Sequence, residues 1–159
     1  MQATNNMPVL MKALIKAQEK LRTVKNLDVR VLEANTWMEP RPTCRFNGLN
    51  EGLSFFPSHQ NLKLTLAFGG TLGTPMKVEA QYILEHLMTD APNYIDQELG
   101  IDDKLDSFSA EDRTTMRLGY ILFKTYQSAI TGKINLTKSI TGITVTYDSN
   151  WRDPELKLD

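Results

Sequence analysis

The stretch Leu64–Leu87, LTLAFGGTLGTPMKVEAQYILEHL, decides how the chain is read. Leu62, Leu64, Leu66 and Phe68 fall on one face at strict period two, which is the mark of a strand with a buried face. Three glycines follow, and then Thr74 and Pro75 stand where a helix N-cap and first helical residue would stand. Ala80, Ile83, Leu84, Leu87 and Met88 carry the i, i+3, i+4, i+7, i+8 spacing of an amphipathic helix, and Pro92 closes it. The stretch therefore predicts strand, glycine turn, helix. Gly69, Gly70, Thr71, Gly73 and Thr74 become a candidate ligand-binding turn, because backbone N–H groups at a helix N-terminus favour anions. The spacing G-G-x-x-G matches neither phosphate-binding glycine motif, so the turn itself is the preferred explanation of those glycines.

Upstream, MPVLMKALIKAQEKLRTVKN places Leu10, Leu14, Ala17, Leu21 and Val24 on one helical stripe, with Pro8 in the first turn and Asn26 at the end. Lys12, Lys16, Lys20, Arg22 and Lys25 lie away from that stripe and make a basic outer face. LDVRVLEAN alternates as a strand with Leu27, Val29 and Val31 on one face. A loop follows, broken by Pro40, Pro42, Gly48 and Gly52, with room for short strands at Thr43–Phe46 and around Phe55.

Downstream, PNYIDQELG predicts a short helix ended by Gly100. Ser109 and Gly132 bracket a helix of about six turns. Met116, Tyr120, Phe123 and Ile130 form its apolar face, widened by Leu118, Leu122 and Ala129. Ile134, Leu136 and Ile140, then Ile143, Val145 and Tyr147, predict a closing hairpin that turns at Thr141-Gly142. Strands cluster on either side of a helical block. The fold class expected is α+β: a largely antiparallel sheet with an N-terminal helix, a central helical block and a C-terminal β-hairpin. The 159 residues suit a single globular domain, with 1–6 and 150–159 expected to fray.

Composition narrows the classes. Hydrophobic residues at 41% and charged residues at 23% argue against global disorder. No apolar run approaches the ~20 residues of a membrane span, so no membrane partner is expected. The single cysteine leaves no internal disulfide, and a cytoplasmic setting is the simpler expectation. The net charge of −1 hides segregation. Residues 1–50 hold eight basic against four acidic groups, residues 51–112 three against eleven, and residues 113–159 seven against four. Thr89–Asp112 alone carries eight acids and one lysine. Such a stretch either steers a partner or is a solvated linker, and the linker is the default.

No convergent catalytic set emerges. Cys44 lies between Arg41 and Arg45, which would favour a thiolate, but nothing orients His59 or His86 toward it. Asp102, Asp103 and Asp106 lack the spacing and glycine of a calcium loop, so neither a metal nor a cofactor is expected. Trp37, Met38, Arg41, Phe46 and Phe55 supply the aromatic, Met and Arg residues that anchor interfaces. The leading expectation is a non-catalytic accessory protein, of adaptor or inhibitor type, that binds another protein. Its partner-binding candidates are Trp37, Met38, Arg41, Phe46, Phe55, Asp102, Asp103 and Asp106, and a homo-oligomer is compatible with them. One alternative is a small-molecule or nucleotide-phosphate binder, with or without catalysis, that uses the glycine turn. A second is a nucleic-acid binder that uses the basic first helix, although a pI near 6.1 argues against it.

Overall fold

The fold is built on β3 (Gln60–Gly69), whose residues from Leu64 to Phe68 are all buried. A buried strand must satisfy its backbone on both edges. β3 does so between β1 (Asp28–Met38) and β4 (Met76–Ile83), antiparallel to each. With β2 (Phe46–Asn47) outside β1 and β5 (Ile140–Thr146) outside β4, the sheet order is β2-β1-β3-β4-β5. Helices α1 (Met7–Lys25), α2 (Leu84–Met88), α3 (Tyr94–Leu99) and α4 (Ala110–Thr131) complete an α+β fold. These elements come from a computed structural model that describes residues 7–38, 46–47, 60–69, 76–132 and 139–146.

The register assigns two unlike faces. Val29, Val31 and Ala34 on β1 share a face with Leu62, Leu64, Leu66 and Phe68, and with Met76, Val78, Ala80 and Tyr82. α1 and α4 lie together and close this face, contributing Leu10, Leu14, Leu21, Leu118, Ile121 and Leu122 to one core. The opposite face carries Arg30, Glu33, Lys63, Lys77, Glu79 and Gln81. One apolar and one polar face is the usual outcome for an antiparallel sheet.

Three elements differ from the sequence reading. First, residues 76–83 form a strand where a helix was predicted. Met76, Val78, Ala80 and Tyr82 are buried, while Glu79 and Gln81 are exposed. That period of two coexists with the helical spacing of Ala80, Ile83, Leu84 and Leu87, and the bare edge of β3 decides between them. The helix survives only as the five-residue α2. Substituting exposed Glu79 by Thr should therefore stabilise the protein by a few tenths of a kcal/mol, since Thr suits a strand beside its neighbours Thr65 and Thr144. The same change would cost up to ~0.7 kcal/mol in a helix, so a urea titration separates the two by sign.

Second, Thr141-Gly142 is not a turn. β5 runs through it, and the register slips between Gln81↔Gly142 and Tyr82↔Ile140, which leaves Thr141 as the extra residue of a bulge. Glycine inside a strand marks such a bulge as readily as it marks a turn. The first arm of the expected hairpin, from Ile134, lies outside the described residues, and what is observed is a C-terminal strand. Third, Trp37 and Met38 belong to β1, paired with Asn61 and Gln60, and not to the loop.

The helices follow their caps but not always their stripes. Asn26 takes a positive φ of 53° after α1, and Leu27, fully buried, replaces Val24, which is 74% exposed. In α4 the Ser109 side chain accepts from Asp112 N–H, and Gly132 takes the left-handed conformation, as expected. Its buried face is rotated, however. Leu118, Ile121, Leu122, Thr125 and Tyr126 are buried, whereas Met116, Tyr120 and Phe123 are half-buried and Ile130 is 44% exposed. Thr114, Thr115 and Thr125 lie on this buried face, and the Thr125 hydroxyl donates to Ile121 O at 2.7 Å and so can be buried. Since that proton is committed, Tyr82 O–H donates to Thr125 Oγ1 at 2.8 Å, and burial holds the phenol well above its ordinary pKa.

Candidate functional site

The acidic segment is a built structure, and a buried arginine is its foundation. Arg117 and Asp96 have no exposed side-chain surface and meet fork to fork, with Nε donating to Oδ1 at 2.8 Å and Nη2 to Oδ2 at 2.7 Å. Arg117 Nη1 donates to Thr89 O at 2.7 Å and Leu87 O at 3.3 Å, which ties α4 to the end of α2. Asp96 also accepts Asn93 N–H at 3.0 Å, while Asn93 Oδ1 accepts from Ile95 N–H and Asp96 N–H. This reciprocal capping box starts α3. Asn93 Nδ2 reaches back to His86 O at 2.7 Å. One ion pair thus ties two helix ends, the C-terminus of α2 and the N-terminus of α3, to the body of α4.

From this base the chain leaves α3 through Gly100, whose φ of 74° is the left-handed conformation that favours glycine. Ile101 N–H bonds Asp96 O, Lys104 N–H bonds Ile101 O, and Ser107 N–H bonds Lys104 O, each at 2.9 Å. Leu105 is buried beneath these turns and opens the 3₁₀ turn Leu105–Ser107. Glu98, Asp102, Asp103 and Asp106 are exposed with one lysine, Lys104, among them. The result is a run of carboxylates on a closely bonded backbone, none of them in an ion pair among the described residues. Asp96, by contrast, is fully buried, and charge composition alone cannot distinguish it from its exposed neighbours.

A second polar cluster escaped the sequence reading. Ser139, wholly buried, bonds His86 Nδ1 through its hydroxyl at 2.9 Å, and its N–H donates to Tyr94 O–H at 2.8 Å. Ile83 N–H donates to Ser139 O, and the His86 and Tyr94 rings meet edge to face at 6.0 Å. A serine beside an imidazole is the first requirement of nucleophilic catalysis. Here, however, the serine's amide, carbonyl and hydroxyl all bond neighbouring elements, so the contact joins β5 to α2 and α3. His86 is a half-buried boundary residue, as expected.

The other candidates are scattered. Gly69 ends β3, while Gly70, Thr71, Gly73 and Thr74 lie outside the described residues. The helix N-terminus that made this turn an anion site is absent, because a strand begins at Met76. Trp37 and Met38 end β1, and Phe46 sits opposite Thr36 in β2. Arg41, Cys44, His59 and Phe55 lie outside the described residues. On the basic helix, Lys16 pairs with Glu111 and, at 3.9 Å, with Asp112, and the Glu111 hydrogen bond raises its pKa. Lys25 lies over the Phe123 ring. Two of the five basic groups are therefore engaged within the chain. Among the described residues no three His, Cys, Asp or Glu side chains gather to hold a metal ion, and no helix is long and apolar enough to cross a membrane. No protein-family model matches the chain, and neither a curated protein nor a solved structure matches it.

Proposed function

We propose that this protein is a non-catalytic accessory protein that binds a basic surface of another protein through Asp102, Asp103 and Asp106. The observation that carries this reading is the rigidity of their support. Carboxylates on a floating linker pay ordering entropy on binding, whereas these start from turns closed by backbone hydrogen bonds and anchored by Arg117–Asp96. A fixed cluster of one sign also speeds encounter with an oppositely charged partner. Trp37 and Phe46, with Met38, Arg41 and Phe55, belong to the same proposal as a second contact region.

The test is affinity capture at stepped ionic strength with the wild-type chain and with Asp102→Asn, Asp103→Asn and Asp106→Asn combined. A specific partner should be retained by the wild type, and its affinity should fall at least tenfold in the triple variant, about 1.4 kcal/mol. A Trp37→Ala arm reports on the aromatic region. Equal retention of every captured protein by wild type and triple variant would remove the acidic surface from the proposal.

A further inference from the structure

The apolar stripe that sequence periodicity assigns to the core of α4 lies on its outward side, and its spacing is that of a coiled-coil seam. Met116, Tyr120, Phe123, Gln127 and Ile130 recur at alternating steps of four and three residues, the d-a-d-a-d positions of a heptad pattern. Met116, Tyr120 and Phe123 are half-buried, and Gln127 and Ile130 are exposed. The two flanks of this stripe carry opposite charge. On one flank α1 runs parallel to α4, since Lys16 pairs with Glu111 at the start of α4 and Lys25 lies over the Phe123 ring further along. Lys16, Lys20 and Val24 form one i, i+4 row of α1, so the row that reaches α4 continues beside the stripe through two exposed residues. On the other flank is α3, tied to α4 by Asp96 and Arg117. Burial first, and then the carboxylate of exposed Glu98, hold the Tyr120 phenol above its ordinary pKa, which places that charge beside the stripe.

We propose that a second copy of this chain packs on this stripe, α4 against α4 in parallel about a two-fold axis along the helices, so that the two helical layers meet face to face. The spacing and the flanks together select this occupant. A heptad seam is the same surface on both copies, and each apolar knob meets a hole formed by its own equivalents. The axis also exchanges the flanks: α1 of one copy lies across from α3 of the other, and Lys20 faces Glu98 of the other copy, twice. An antiparallel arrangement would instead set basic flank against basic flank. Gln127 stands opposite its own equivalent, where the two amides bond each other. A single polar a position of this kind fixes register and favours two helices, at some cost in stability. An unrelated helix would need the same spacing with acid and base on the reversed flanks, whereas this face is complementary to itself.

Sedimentation equilibrium of the whole chain, from micromolar to about millimolar, tests this. The wild type should associate to a dimer. Met116→Glu combined with Ile130→Glu should weaken the dimer at least tenfold, about 1.4 kcal/mol, whereas Gln127→Leu should tighten it. Lys20→Glu or Glu98→Lys alone should weaken it several-fold, since each sets like charges opposite one another at two places, and the double variant should recover. Circular dichroism melts establish that each variant folds. Independently, Gln127→Cys in a Cys44→Ser background should cross-link into a covalent dimer on oxidation with diamide, because the parallel seam sets residue 127 against its own equivalent. A wild type that stays monomeric, a dimer indifferent to Met116→Glu with Ile130→Glu, a double charge variant that does not recover, or no cross-link at residue 127 would each overturn the proposal. The Asp102, Asp103 and Asp106 triple variant should dimerise normally, so failure of the acidic surface and failure of this seam are separate results.

Discussion

Arg117→Ala should lower the unfolding free energy by about 3–5 kcal/mol, because it leaves Asp96 as a buried charge without its counter-ion. The carbonyls of Leu87 and Thr89 lose their donor in the same change. For a chain of this length that is a fall in melting temperature of roughly 10 °C or more. Arg117→Lys should recover only part of the loss, since one ammonium cannot reproduce the two-pronged fork. Replacing both partners, Asp96→Leu with Arg117→Met, should cost less than Arg117→Ala alone, because no charge is then stranded. It should still cost something, since the Asn93 capping box loses its acceptor. Urea unfolding of these variants measures the series, and a loss below ~1 kcal/mol for Arg117→Ala would contradict the role given to this pair. The prediction reaches function too: loosening the base of the acidic turns should weaken partner capture with Asp102, Asp103 and Asp106 untouched.

Phe68→Ala should cost a comparable ~3–5 kcal/mol for a different reason. The ring has no exposed surface and sits on the central strand, tilted against Tyr126 with centroids 5.3 Å apart. Its cross-strand neighbours are Val29 and Met76. Regular strands on both sides leave the cavity little room to collapse, so transfer and cavity costs both apply. Val24→Ala is the matched control. Sequence periodicity assigns Val24 to the core stripe of α1, but its 74% exposure limits the change to about ±0.5 kcal/mol. Equal losses from the two substitutions, measured by denaturant titration, would place the core elsewhere.

The legibility of this chain depended on whether the cause of each feature was local. The caps at Ser109, Gly100 and Gly132 were readable because a side chain and a left-handed glycine satisfy orphan backbone groups within a few residues. β3 was readable because its alternation has no competing period. The acidic site was half readable. Asp102, Asp103 and Asp106 were named as partner-binding candidates, but Asp96 could not be separated from them as a buried group, and its partner lies 21 residues away. Ser139 left no signal, because its partners His86 and Tyr94 are 53 and 45 residues distant.

By itself, then, the sequence determined an α+β domain type, the central strand, the long capped helix and the segregation of charge, all of which follow from local periodicity and capping chemistry. Only the tertiary structure decided that residues 76–83 are a strand, that Thr141-Gly142 is a bulge and that Asp96 is buried. Each of these turns on which backbone or side chain lies opposite. A segment with both a two-residue and a 3.6-residue period is settled by the unpaired edge it meets, and a buried carboxylate by the arginine that meets it.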